Sequence, residues 1–443
     1  MAITATDDLV VTPPSPTSKK ASRAFPWVVF ILTFGLLLSD YMSRQVLSAV
    51  FPFLKAEWAL TDTQLGGMTS VVALAVGLLA IPLSVLGDRF GRVKAIVAMA
   101  AIWSFATLGS ALAANYEQMM LSRVLIGVGE AAYGSVGLAV VLAVFPATRR
   151  ASLTGAFMAG GLFGSVIGMA LGGAIAVQLG WRWSFAVMAI FGLVLAVLYR
   201  VLISDRKLDA HRHPDNAVRV SGGQPRAKLS ALFSTPAVIF AYIGSGLQLF
   251  VAGALYAWLP SYLNRTYGMA PDKAAGVAAL FILVMGVGMI VCGAITDRLT
   301  RTVPIRKWTT AIVYAATSLV LIGAAFAAAP GPLQLLLLAF GAFFAAGTTG
   351  PAGAMVANLT PESIRATAFG TLTLANNLLG LAAGPFVVGI LADKFGLDVA
   401  LKLVPLVSVL TIAVLLAGRR AYPASLQRVA PVEVVASQDG ASR

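Results

Sequence analysis

The chain has 443 residues, of which 58% are hydrophobic and 11% charged. A soluble domain carries roughly 25% charged residues, so most of this surface cannot face water and a soluble globular protein is excluded. A helical crossing of a bilayer takes about 20 apolar residues, so the length accommodates about twelve crossings with short loops. The net charge of +14 would suit nucleic acid if it formed one patch, but it is dispersed in short groups between apolar runs.

Residues 1–25 are polar, rich in Pro and Ser, and contain Lys19, Lys20 and Arg23. They lack the apolar core of a signal peptide and are expected to form a cytoplasmic tail. Apolar runs follow at 26–53, 64–86, 95–114, 117–145, 151–179 and 183–203, the expected first six-helix bundle over 26–203. Thr61 to Gln64 predicts a capping box at the start of the second span. Residues 204–235 form the longest polar interruption and read as a cytoplasmic linker. His211 and His213 lie there without further ligands, which predicts solvated side chains rather than a metal site.

A second set of runs, at 236–263, 271–295, 307–329, 333–359, 365–391 and 398–417, predicts a second six-helix bundle over 236–417. Thr360-Pro361-Glu362 is expected to open the eleventh span, with Pro at its first helical position. Residues 418–443 are polar and are expected to form a flexible cytoplasmic tail. The single cysteine, Cys292, lies in an apolar run, which gives no disulfide framework and no metal-ligand spacing.

With twelve spans both termini share a face. That face would hold Lys19, Lys20 and Arg23, then Arg89, Arg92 and Lys94, then Arg149 and Arg150, the central linker, and Arg298, Arg301, Arg306 and Lys307. The opposite face holds only Lys55, Arg182, Arg265, Lys273, Lys394 and Lys402. The positive-inside rule therefore predicts cytoplasmic termini. The two halves also share a loop pattern: Gly87-Asp88-Arg89-Phe90-Gly91-Arg92 follows the second span, and Gly293-x-x-x-Asp297-Arg298 follows the eighth. Paired halves around a central loop are a recurring transporter plan.

Those loops resemble the signature of the major facilitator superfamily between its helices two and three, G-x-x-x-D-R-x-G-R-[RK]. Asp88, Arg89, Gly91 and Arg92 match it, while Ser84 stands at the first Gly and Val93 at the last basic position. The resemblance implies an all-α membrane fold of twelve helices in two pseudo-symmetric six-helix bundles. It also implies that Asp88, Arg89 and Arg92, with Asp297 and Arg298, form a conformational latch, with Asp88 at the start of helix eleven, where an anion is favourable. Within the superfamily, Arg123-Val-Leu-Ile-Gly127-Val-Gly129-Glu130-Ala131 is similar to the Spinster-type and related organic-anion carriers. Helix one, ending Tyr41-Met-Ser-Arg44 before Pro52, resembles the same group. There an Asp directly precedes this Arg; here Ser43 does, and the acid is Asp40.

Four ionisable residues sit well inside the spans: Asp40, Arg44, Arg123 and Glu130. Each would cost about 2.5–3.5 kcal/mol facing lipid. Asp40 and Arg44 are four apart on one helix face, and Arg123 and Glu130 are seven apart, two turns along another. The family plan lines the cavity with helices one, four, seven and ten, so these charges are expected to cluster there. Glu130 or Asp40 would load a proton, while Arg44 or Arg123 would meet an anionic group. A permanently paired packing network is the competing explanation. Tyr41, Gln248, Tyr256 and Asn376 are further candidates for contact with the cargo. The glycines of helix five, several four apart, suit close helix packing.

No Walker lysine or nucleotide loop is present, and the only histidines lie in the linker, so an ATP-driven pump and an enzyme are both poor fits. The expectation is a proton-coupled secondary transporter for a small amphiphile, lysolipid or organic acid, working by alternating access. A drug/proton antiporter and a non-transporting membrane sensor are the alternatives. No cofactor is expected beyond a proton gradient, and the partners are the cargo and the lipid bilayer, with no nucleic acid. A monomer in the inner membrane of a bacterium is the expected setting.

Overall fold

A computed structural model describes residues 24–211, 232–233, 235–301, 303–361 and 364–439. The expected N-terminal tail before residue 24, His213 and the rest of 212–231, and Glu362 lie outside the described residues, as does the side chain of Asp88. Among the described residues there is no strand. Twelve helices are long and apolar enough to cross a membrane. They are α1 Phe25–Trp58, α2 Asp62–Leu86, α3 Arg92–Leu112, α4 Tyr116–Val144, α5 Ser152–Leu179 and α6 Trp181–Leu202. The second set is α7 Pro236–Tyr267, α8 Pro271–Thr300, α9 Arg306–Ala327, α10 Pro332–Leu359, α11 Thr367–Phe395 and α12 Leu397–Arg428. Large apolar side chains such as Leu78, Phe105, Leu121, Val197 and Val320 are exposed around the outside, as a lipid-facing surface requires.

Odd-numbered helices start at one face, here the terminal face because α1 begins there, and run to the far face. The far-face connections are short and decided by backbone chemistry. Gly180 between α5 and α6 and Gly396 between α11 and α12 each turn the chain in a single residue, with φ of +93° and +85°. That left-handed region is open to glycine and strained for other residues. The same device at the same place in each six-helix set is a structural trace of duplication. A second trace is a mid-membrane break in α4 at Ala131–Ala132 and a 3-10 turn in α10 at Ala346–Thr348.

The capping box at Thr61 forms: its hydroxyl accepts from Gln64 N and the Gln64 side chain accepts from Thr61 N. The expected start of the eleventh helix does not. Thr360 Oγ1 donates back to Val356 O at 2.7 Å, which uses the hydroxyl inside α10, and the next helix begins at Arg365. The tail also departs from expectation, since the α12 helix continues to Asp439. The linker begins as a short helix, Asp205–Ala210. Asp205 Oδ1 accepts from Val93 N at 3.1 Å and so caps α3, while His211 sits against the Phe25 ring.

Packing follows the small residues. A Cβ on Gly164 would come 2.5 Å from Leu38 O, and one on Gly168 would come 2.6 Å from Met42 Cα. The expected close packing of helix five is therefore against α1, backbone to backbone. The two six-helix sets meet along α2 with α11 and along α5 with α8.

Candidate functional site

A cavity of about 450 Å³ lies between the two sets. Arg44, Arg123, Tyr41 and Gln45 line it from α1 and α4, and Tyr256, Met285 and Met289 from α7 and α8. The expected set of lining helices was incomplete: α2, α5, α8 and α11 also contribute, through Thr69, Ser165, Met289 and Leu381. Met158 and Met289, in the terminal-face halves of α5 and α8, line the cavity and are exposed, so it opens toward the terminal face. Toward the far face Phe51 of α1 packs at a tilt against Trp258 of α7, with ring centroids 5.4 Å apart, and closes it.

Three of the four buried charges form one cluster. Arg44 Nε donates to Glu130 Oε2 at 2.5 Å and lies 3.5 Å from Asp40 Oδ1. Asp40 is 2% exposed and Glu130 is 3% exposed. Asp40 thus reaches Arg44 from one helical turn back, in place of an acid immediately before the arginine. Asp40 Oδ1 and Glu130 Oε1 each lack a hydrogen-bond donor. The Arg44 guanidinium also lies 5.3 Å from the Tyr41 ring centroid.

The fourth charge stands apart. Arg123 and Glu130 share one continuous helical segment but sit two turns, about 10 Å, apart along it, and the acid pairs instead with Arg44, 86 residues away in sequence. Arg123 is fully buried. Its nitrogens donate to Ser43 O at 3.3 Å and Ser110 Oγ at 3.0 Å, and its guanidinium lies 4.8 Å from the Phe185 ring centroid. Nε has no partner, and among the described residues no carboxylate pairs with it. A buried guanidinium held directly only by neutral groups keeps its charge without an ion-pair partner, which is costly in a protein interior.

Other candidates are distributed differently. Tyr41 and Tyr256 line the cavity, and Gln45 Nε2 bridges to Tyr256 O at 3.4 Å. Gln248 does not line it: its Nε2 donates to Ala345 O at 3.3 Å, beside the α10 turn. Asn376 opens a π-helical turn, Asn376–Ala382, in α11, and is likewise not among the lining residues. Pro385 lies three residues beyond that turn and has no N–H to return to Leu381, so the wider turn absorbs the fault. Arg89, Asp297 and Arg298 are exposed on the terminal-face ends of their helices, and Arg92 is half-buried at the start of α3. What sequence reasoning missed lies at the far face. Asp393 of α11 accepts from the backbone N–H groups of Asp62 and Thr63, and Asp62 pairs with both Lys55 and Arg265. Spacing carries no signal for contacts separated by 203 and 330 residues.

Twelve apolar helices around a central charged cavity define a polytopic membrane carrier. The model of the Major Facilitator Superfamily matches residues 33–317, more than half of the chain, and the chain belongs to that family. It is an integral membrane transporter, not an enzyme. It is 24% identical over 377 residues to the hexuronate transporter of Bacillus subtilis (strain 168), covering 84% of this chain and 88% of that protein. It is 27% identical to the sphingosine-1-phosphate transporter SPNS2 of Danio rerio over 61% of this chain, a match that spans only 56% of that relative. It is 26% identical to a probable L-galactonate transporter of Escherichia coli (strain K12), over 65% of this chain and 66% of that one. Its fold matches the crystal structure of a bacterial homologue of the human lysosomal transporter Spinster, in an inward-facing and occupied conformation. The TM-score is 0.82 at 19% identity, over 91% of this chain and 99% of that one.

Proposed function

We propose that this transporter is a proton-coupled secondary carrier of a small amphiphilic organic anion, working by alternating access. The observation that carries this reading is Arg123, a fully buried cation at the cavity wall with no carboxylate partner among the described residues. A cargo carboxylate or phosphate would complete it with charge-assisted hydrogen bonds. The relatives' names point the same way, since hexuronate, galactonate and sphingosine-1-phosphate all bear an acidic group. A cationic drug would need an unshared acid, and here both acids are shared with Arg44.

Coupling is assigned to the Asp40 and Glu130 carboxyls. Loading a proton on the pair weakens its hold on Arg44 and frees that guanidinium to turn toward the cargo as a second contact. The distribution of arginine and lysine supports a cytoplasmic terminal face, so the cavity is open inward in this state. The setting is the inner membrane of a bacterium, where the protein acts as a monomer. Uptake into proteoliposomes under an imposed pH gradient tests the proposal, over a panel of lysolipids, hexuronates, aromatic acids and cationic drugs. An anionic cargo should accumulate with the gradient, and Glu130→Gln should abolish gradient-driven accumulation. Unchanged uptake and pH dependence in that variant contradicts the coupling assignment.

A further inference from the structure

At the far face, beyond the Phe51–Trp258 closure, four charged side chains from four helices meet. Arg265 at the end of α7 grips Asp62 at the start of α2 with two bonds, Nη1 to Oδ2 at 2.8 Å and Nη2 to Oδ1 at 2.7 Å. Lys55 of α1 donates to the same carboxylate at 2.5 Å. From the other helix set, Asp393 of α11 accepts from Asp62 N at 2.7 Å and Thr63 N at 2.8 Å, where an α2 start carries free N–H groups and partial positive charge. Two of these ties, Arg265 to Asp62 and Asp393 to the α2 start, cross between the helix sets.

We infer that these four residues are the far-face latch of the transport cycle: they hold the carrier open to the terminal face, and opening the far face breaks both crossing ties together. The charge balance fits a reversible latch rather than a permanent tie. When the sets separate, one keeps Lys55 with Asp62, still paired, and the other keeps Arg265 with Asp393. Each therefore retains one cation and one anion, and the Asp393 carboxylate is exposed, so no charge is left buried without a partner, the condition that makes breaking an ion pair strongly unfavourable. Lys55 and Arg265 are already part-exposed, so water can take up the released groups. The surface beneath the latch also suits parting. A Cβ on Gly66 would come 2.4 Å from Pro385 O, and one on Gly389 would come 2.5 Å from Asp62 O. There α2 and α11 touch backbone to backbone, with no side chains to interlock.

The inference rests on the alternating-access reading, and its test measures accessibility rather than transport. Cys292 is the only cysteine and is buried, so a Cys292→Ala background carrying Ser165→Cys gives one reporter thiol in the cavity wall. A membrane-impermeant maleimide is applied from the far face of sealed proteoliposomes, and melting temperature is measured for each variant. Arg265→Gln and Asp393→Ala should each speed labelling about tenfold, as expected for losing one charged hydrogen-bonded contact in the closed state only. Lys55→Gln, which removes a tie within one helix set, should label at the parental rate. Gly66→Ala leaves all four charges in place and should also speed labelling by forcing α2 from α11. Parental labelling in folded Arg265→Gln, Asp393→Ala and Gly66→Ala overturns the latch, and so does an equal increase in Lys55→Gln. Either failure leaves the anion reading of Arg123 standing, because every arm measures access to the reporter thiol and none measures cargo binding.

Discussion

The two six-helix sets share a cavity but bring different chemistry to it. The first lines it with Arg44 and Arg123 and backs Arg44 with the buried carboxyls of Asp40 and Glu130; the second contributes Tyr256, Met285, Met289 and Leu381, with no ionisable acid or base among the described lining residues other than tyrosine. Duplication preserved the scaffold, visible in the one-residue turns at Gly180 and Gly396 and the breaks in α4 and α10. It did not preserve the charges. On the proposed function, proton loading and anion contact both fall to the first helix set, while the second shapes an apolar surface.

A second contrast lies inside the charged wall, between an arginine with acids and one without. Arg44→Gln should have the largest effect on stability. It leaves Asp40 and Glu130 buried without their cation, and removing one partner of a buried pair costs about 3–5 kcal/mol; chemical denaturation in detergent reads this directly. Gly168→Val comes next, because its side chain would press on the α1 backbone at Met42. Overpacking of this kind costs about 1–3 kcal/mol, and the variant should melt earlier while cargo preference stays as in the parent. Tyr256→Phe tests the apolar wall: loss of one hydroxyl should weaken cargo affinity by no more than about tenfold, measured as a rise in the half-saturating cargo concentration. Gln248→Leu should change least. It removes one bond to Ala345 O together with a buried Oε1 that has no partner, so uptake should stay near the parental rate. A large transport defect there would move part of the site into the second helix set.

The sequence carried the twelve spans and the clustering of charges because both rest on local quantities, hydropathy and helical spacing. It also carried the Asp40–Arg44 pair, four residues apart on one continuous helix. It could not say which arginine Glu130 would choose, because Arg44 lies 86 residues away and meets the acid only once α1 and α4 are brought together. Gln248 and Tyr256 looked equivalent, two turns apart on α7. Only the packing of α10 against α7 separates them, one facing a backbone carbonyl and the other the cavity. The far-face contacts of Asp62 and Asp393 were invisible for a similar reason, since Lys55 and Arg265 read as ordinary loop charges until the helices were brought together.

The central claim is that Arg123 waits for the charge of its cargo. The most direct measurement is the shift in melting temperature on adding each organic anion and a neutral ester or amide analogue, for the parent and for Arg123→Gln. The account predicts that at least one anion stabilises the parent while its neutral analogue does not. It also predicts that Arg123→Gln loses this response without melting earlier by itself, since no acid is left unpaired by the change. Equal stabilisation by the neutral analogue, or an undiminished anion response in Arg123→Gln, would contradict it.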